Sequence, residues 1–304
     1  MPRWLLYTLM AVVCWGVWAL LGRVIGDALS PALTQALSTI GLLPIMLVLW
    51  RSQTQKATHQ FAFAARGKLF GLGAGVITCL GNIVYYDVLN RGAKASMVVP
   101  LTALYPLVTV LLALVVLKER LNLIQGLGIA LSIVAIYLFN VQQERGLFSA
   151  WLLLALVPIA LWGIAGLLQK LATNHISGEV ATLWFLLAFV PVAAVILVLE
   201  RLPPVISGKT WLLVASLGFT FALGNFALLI AFASNGKASI IAPLAGLYPL
   251  VSIPIALVAL HERIGWREGM GIVMALISVI ALSCEKRGEE NRFETSNIQQ
   301  PTTK

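Results

Sequence analysis

Apolar residues run in long blocks along this chain, and the charged residues fall between the blocks. Ten stretches contain no Asp, Glu, Lys or Arg: 4–22, 28–50, 69–86, 95–117, 121–143, 146–169, 180–199, 210–236, 238–260 and 269–284. A helix needs about 20 apolar residues to cross a hydrocarbon core about 30 Å thick. Most of the stretches reach that length, and the two shortest are completed at their margins. The pattern predicts an all-α integral membrane protein with ten transmembrane helices, numbered here as spans 1 to 10. Residues 285–304 are polar and predict a disordered tail.

The blocks also repeat. Shifted by 143 positions, Lys94-Ala-Ser-Met-Val-Val-Pro100-Leu-Thr-Ala-Leu-Tyr105-Pro106-Leu-Val108 falls on Lys237-Ala-Ser-Ile-Ile-Ala-Pro243-Leu-Ala-Gly-Leu-Tyr248-Pro249-Leu-Val251, with ten of 15 positions identical. The same register carries Glu119-Arg120 onto Glu262-Arg263 and Gly81-Asn82 onto Gly224-Asn225. A small register change brings Trp15-Gly16 onto Trp162-Gly163 and Pro44 onto Pro191. Apolar composition alone does not align Lys, Pro, Tyr, Glu and Asn together, so the chain reads as two five-helix repeats, 1–145 and 146–284. Five crossings per repeat is an odd number. The second copy then enters the membrane from the opposite side, and the repeats are predicted to be inverted, an arrangement found in transporters with a site near the midplane.

Composition narrows the function. The chain is 60% hydrophobic and 11% charged, against about a quarter charged in soluble domains; extramembrane enzymes and secreted disulfide scaffolds are excluded. The net charge of +9 sits in scattered loops with no basic domain, so lipid headgroups are the expected partner and nucleic acid is not. With the N-terminus inside, thirteen basic residues face the cytoplasm and eight face out. That bias favours cytoplasmic termini in a plasma (bacterial inner) membrane, with loop 51–68 the firmest indicator and a cytoplasmic tail. Met1-Pro-Arg-Trp followed by an apolar run imitates a signal peptide, but span 1 belongs to the repeat. Cys14, Cys79 and Cys284 lie inside spans without CxxC spacing, and His59, His175 and His261 are dispersed in loops. No metal site or other cofactor is expected.

Ten spans in two halves, Pro-Leu-x-x-Leu-Tyr-Pro in the fourth span of each and Glu-Arg just after it resemble the drug/metabolite transporter superfamily, in its EamA-domain branch. The resemblance implies alternating access to a central cavity lined by the first, third and fourth helices of each repeat, here spans 1, 3, 4, 6, 8 and 9.

The residues point to the same cavity, because polar and aromatic side chains within spans face protein or water rather than lipid. Thr102, Tyr105 and Thr109 share one face of span 4, and Tyr248 and Ser252 share the matching face of span 9. Asn82, Tyr85 and Tyr86 group on span 3, Trp15 and Trp18 on span 1, Trp162 and Gln169 on span 6, with Asn225 on span 8. The three deep tryptophans could stack on an aromatic or cationic solute, while Trp184 suits packing. Singly, each hydroxyl or amide could equally be interhelical glue. Trp4, Trp50, Trp151, Trp211 and Trp266 lie at span ends and suit the headgroup boundary.

Pro100, Pro106, Pro243 and Pro249 are expected to break spans 4 and 9. Asp87, near the end of span 3, is either an i,i+4 partner of Arg91 or a coupling site for a proton or cation. The Glu-Arg pairs suggest scaffold roles such as capping spans 5 and 10. Gly-Lys-Ala-Ser at 236–239 lacks the hydroxyl directly after Lys that a P-loop needs. Small multidrug exporters of the superfamily depend on an embedded Glu that is absent here, which weakens proton-coupled drug efflux. Nor do paired carboxylates or an activated nucleophile appear at depth, as an intramembrane enzyme would need. The sequence therefore predicts a non-enzymatic secondary carrier, an exporter or exchanger of a small amino-acid-like or aromatic solute. The alternatives are a channel-like pore or non-transporting membrane scaffold of the same fold, or a proton-coupled multidrug exporter, and monomer and homodimer both remain open.

Overall fold

The computed structural model describes residues 2–54, 61–91, 94–117, 122–140, 150–234 and 237–284. The expectations for His59, Glu119-Arg120, the 145/146 boundary and the tail lie outside them. Among the described residues the chain forms helices α1 (Arg3–Ile25), α2 (Pro31–Thr54), α3 (Phe61–Asn90), α4 (Ala95–Thr102), α5 (Tyr105–Val116), α6 (Leu123–Asn140) and α7 (Ala150–Thr173). There follow α8 (Gly178–Leu187), α9 (Phe189–Leu199), α10 (Gly208–Ala233), α11 (Ala238–Ala245), α12 (Pro249–Ala259) and α13 (Trp266–Ser283). Every regular element described is helical, which suits a bilayer, where backbone groups must be satisfied within the segment.

Eight segments are long and apolar enough to cross a membrane. They comprise α1, α2, α3, α7 and α10, with α4–α5, α8–α9 and α11–α12 each forming one segment. Helices α6 and α13 have 18 residues each, a rise of about 27 Å, slightly less than the hydrocarbon core. They pack on each other. Asn122 Nδ2 donates to Cys284 O at 2.6 Å, Gln125 Nε2 to Leu282 O at 3.1 Å, and Ser278 Oγ to Gly128 O at 2.9 Å. One helix climbs in number as the other descends, so the pair is antiparallel.

The helix starts follow local chemistry. Ser30 accepts from Leu33 N ahead of Pro31, and Ser177 and Ser207 accept from Val180 N and Thr210 N, satisfying donors that a first helical turn leaves orphaned. The breaks also have local causes. Helix α4 ends at Thr102 and α5 starts at Tyr105, with Pro106 in its first turn; α11 ends at Ala245 and α12 starts at Pro249. Pro106 and Pro249 occupy positions where a missing N–H costs nothing, whereas Pro100 and Pro243 lie inside α4 and α11 and each removes one helical bond. A third break, at Ala188, was not expected; Pro191, three residues on, cannot bond back to Leu187. Pro44, its counterpart, sits inside an uninterrupted α2.

Around the centre, α1 packs on α10 and α3 on α7, while α4 meets α12 and α5 meets α11. The outward surface is strongly apolar: Val115, Val198 and Val258 are 78%, 85% and 75% exposed. Thr34, Gln35, Asn82, Thr109, Gln169, Asn225 and Ser278 are buried. Apolar residues outside and amides inside are what a lipid solvent selects.

Candidate functional site

The crossing of the broken segments forms the floor of the site. Tyr105, at the start of α5, points its hydroxyl at Ala242 O (3.5 Å), and Tyr248, just before α12, points its own at Val99 O (3.4 Å). Ala242 is Val99 advanced by 143 positions, so the two contacts are reciprocal. Thr102 Oγ1 reaches the Tyr248 hydroxyl at 3.3 Å; its counterpart is Ala245, which has no hydroxyl to offer Tyr105. Glycine permits the flanking helices to close in. A Cβ on Gly16 would lie 2.7 Å from Val251 Cγ1 and 3.0 Å from Tyr248 O. One on Gly163 would lie 2.7 Å from Val108 Cγ1 and 2.9 Å from Tyr105 O.

Above this crossing is a small, partly open cavity of about 50 Å³. Its wall takes Trp15 and Trp18 from α1, Asn82 from α3, Tyr105 from the start of α5, Trp162 and Gln169 from α7, Asn225 from α10, and Tyr248. These are the six spans that the family resemblance implies. Four further lining residues, Thr78, Ala165, Phe221 and Leu228, were not anticipated. The repeat could have found two of them, since Leu228 is the counterpart of Tyr85 and Ala165 stands opposite Trp18 in the Trp-Gly register; Thr78 and Phe221 are counterparts of each other at offset 143.

Among the described residues, the cavity wall carries no charged side chain. Its polar atoms are mostly engaged. Trp162 Nε1 donates to Asn82 Oδ1 and Gln169 Nε2 to Asn225 Oδ1, both at 3.1 Å, and Asn225 Nδ2 donates to Phe221 O at 2.9 Å. Trp18 stacks on Tyr85 with centroids 5.2 Å apart and donates to the Tyr86 hydroxyl at 3.1 Å. Tyr85 in turn donates to Ala19 O at 2.9 Å.

The other expected site residues lie behind the wall. Tyr85 and Tyr86 buttress Trp18. Thr109 donates to Gly163 O at 2.9 Å, a helix-to-helix bond, and Ser252 is buried beside α1. Asp87 is at the end of α3, paired with Arg91 at 2.9 Å and 31% exposed, away from the cavity wall. Trp184 lies under the Lys68 ammonium, 5.2 Å from the ring centroid.

Glu262 behaves differently from the capping role expected. Its carboxylate accepts from Ala95 N (2.9 Å) and Ser96 N (2.8 Å), closing the N-terminus of α4 in the other half of the chain. Helix α13 is capped instead by Glu268, which accepts from Gly265 N at 2.6 Å and pairs with Lys94 at 2.8 Å. A short helix with orphan N–H groups and positive dipole attracts the nearest carboxylate, and the fold brings the α12–α13 loop there.

This is a polytopic helical membrane protein with an uncharged, aromatic central cavity at a crossing of broken helices. The model of the EamA-like transporter family matches residues 2–141 and again 149–284, so the chain belongs to that family and to the drug/metabolite transporter superfamily. It is 27% identical over 135 residues to an uncharacterized protein of Methanocaldococcus jannaschii, covering 44% of this chain and 94% of the archaeal one; the match has the extent of one repeat. A solved crystal structure superposes with a TM-score of 0.64 over 97% of this chain and 98% of its own at 17% identity, a likeness of fold.

Proposed function

We propose that the chain is a secondary carrier that moves a small amino-acid-like or aromatic solute, as exporter or exchanger, by alternating access around the central cavity. The observation that carries this reading is the uncharged aromatic and amide wall at the crossing of two broken segments. Such a wall takes up a neutral solute at low desolvation cost and an isolated ion at great cost, with a zwitterion between them because its two charges offset each other. The crossing gives each half a short helix that can tilt without unravelling a whole span. The solute site comprises Trp15, Trp18, Asn82, Tyr105, Trp162, Gln169, Asn225 and Tyr248, with Tyr85, Tyr86, Thr102, Thr109 and Ser252 as its support.

The reading uses ten spans, with α6 and α13 as spans 5 and 10, in two inverted repeats, 1–145 and 146–284. Equivalent helices of inverted repeats run in opposite directions, and the antiparallel α6–α13 pair supports this. The contacts near span ends also agree with it. Ser30 with Glu200, Lys94 with Glu268, and Arg23 with Leu89 O join ends assigned to the outer face. Asn122 with Cys284 O and Lys170 with Phe232 O join ends assigned to the cytoplasm. In this orientation both termini face the cytoplasm of a cell whose plasma membrane holds the protein.

Counterflow in proteoliposomes tests the cycle. A carrier accumulates labelled solute against unlabelled solute on the far side, and a pore or scaffold shows no trans-stimulation. The topology is tested with single Cys labels beside Glu119 and Glu262. They should react from opposite faces, and labelling from one face defeats the inversion.

A further inference from the structure

We propose that the indole N–H of Trp15 is the group in this cavity that recognises the solute, and that it takes a carbonyl or carboxylate oxygen. The inference deepens the transport reading and rests on the cavity being the solute site.

Trp15 and Trp162 are counterparts, and so are Asn225 and Asn82. Trp162 gives its N–H to Asn82 Oδ1. The equivalent acceptor for Trp15 would be Asn225 Oδ1, but that oxygen is drawn to Gln169 Nε2, from which it accepts at 3.1 Å, and Trp15 does not share it. Gln169 has no matching amide in the first half, because the register that joins Trp15 to Trp162 puts Gly22 opposite it. Trp15 lines the cavity and is 9% exposed, while its Nε1 is itself buried at the edge of the wall beside Gly224 of α10 and has no hydrogen-bond partner among the described residues. A buried donor left unmade carries its full desolvation penalty, which an oxygen acceptor on a bound solute relieves.

Stacking is a poorer use of this side chain. Its ring is met edge-to-face by Tyr105 and Tyr248, each with a centroid separation of 6.4 Å, so the indole is held in orientation from two sides. The same side of the crossing carries a second unused donor, Ser252 Oγ, where the counterpart Thr109 is bonded to Gly163 O. With no cation among the described residues of the wall, the acceptor belongs to a neutral carbonyl compound or to a zwitterion that carries its own positive charge.

The test uses the full chain in lipid nanodiscs with ¹⁵N-labelled indoles, nine in all, the Trp15 signal being assigned by its loss in Trp15→Phe. Addition of 3-phenylpropionamide or L-phenylalanine should move the Trp15 N–H signal downfield and leave that of Trp162 in place, whereas n-propylbenzene should not move it. A response to the amide alone assigns the neutral carbonyl, and a response to phenylalanine alone assigns the zwitterion. Trp15→Phe should weaken binding of the responding probe about tenfold, the value of one such bond. In Gln169→Leu, without any probe, the freed Asn225 should draw the Trp15 signal toward that of Trp162. A Trp15 signal unmoved by both oxygen-bearing probes, or moved equally by propylbenzene, overturns the proposal. Counterflow separates the two readings: carriage that is unchanged in Trp15→Phe removes the recognition role alone, and a responding indole in a protein without counterflow removes the carrier cycle alone.

Discussion

The two halves of this chain agree closely in how their helices cross and disagree in how their polar groups are used. Gly16 and Gly163 meet the opposite half at distances that match within 0.1 Å, and the Tyr105 and Tyr248 hydroxyls reach Ala242 O and Val99 O at 3.5 and 3.4 Å. Yet Trp162 Nε1 is bonded to Asn82 while Trp15 Nε1 has no hydrogen-bond partner among the described residues. The crossing is a shared contact, so a misfit on one side displaces the other, and both sides are held to one geometry. A cavity wall is under no such constraint. Each side chain there needs only to complement whatever occupies the space, and the halves are free to diverge.

The largest effect should come from breaking the shared geometry. Gly16→Leu and Gly163→Leu each push a side chain into a valine and a tyrosine carbonyl of the facing helix, at a cost of about 3 kcal/mol or more. Thermal unfolding in detergent should fall by similar amounts for the two variants. A large fall in one and none in the other would show that the crossing is not reciprocal.

Next in size are the paired tryptophans. Trp162→Phe keeps an aromatic ring but loses part of the indole and the N–H that Asn82 Oδ1 accepts, leaving a buried acceptor at a cost of about 1–3 kcal/mol beyond the lost packing. Trp15→Phe loses the same ring volume but a donor with nothing to bond, so its loss of stability in the absence of solute should be smaller by about 1–3 kcal/mol. Equal losses in the same denaturation assay would contradict the asymmetry.

That asymmetry marks how far the sequence could be read. The charge-free stretches anticipated the eight helical segments long and apolar enough to cross a membrane, because span length and loop charge are imposed by the bilayer on every residue in the block. The offset of 143 anticipated which residues would meet: Tyr105 and Tyr248 are at the crossing, and Asn82 and Asn225 are in the wall. It did not reveal which amide bonds which indole, because that depends on Gln169 reaching across from α7 to α10, a contact between residues 56 positions apart that no local spacing encodes. Nor did it separate wall from support. Tyr85 and Leu228 are counterparts, but Trp18 covers the tyrosine while the leucine faces the cavity. The break at Ala188 was missed for a related reason: Pro44 and Pro191 look alike in sequence, and only one of them ends a helix.

Glu262 offers a smaller test of the link between halves. Replacing it with Gln keeps the size of the side chain but gives Ala95 N and Ser96 N a single neutral acceptor, a loss of about 1 kcal/mol. Amide exchange in the first turn of α4 should speed up accordingly while α13, capped by Glu268, stays protected. Exchange that rises equally at both helices would mean that Glu262 supports the loop as a whole rather than α4.

The smallest expected effect concerns Asp87, where the halves differ outright, since its counterpart is Ile230 and that of Arg91 is Ser234. The Asp87–Arg91 pair is solvent-facing, with 31% and 64% side-chain exposure, and such pairs contribute under about 1 kcal/mol. Asp87→Asn should therefore leave thermal stability nearly unchanged. A coupling role predicts something else: a carboxylate that carries the proton through the cycle cannot be replaced by an amide without loss of pH-gradient drive. Asp87 lies at a span end, bonded to its own helix and away from the cavity wall, so an occupied cavity has no direct contact through which to alter its protonation. Transport by Asp87→Asn proteoliposomes should accordingly keep its response to an imposed pH gradient, and abolition of that response at unchanged stability would return Asp87 to the carrier mechanism.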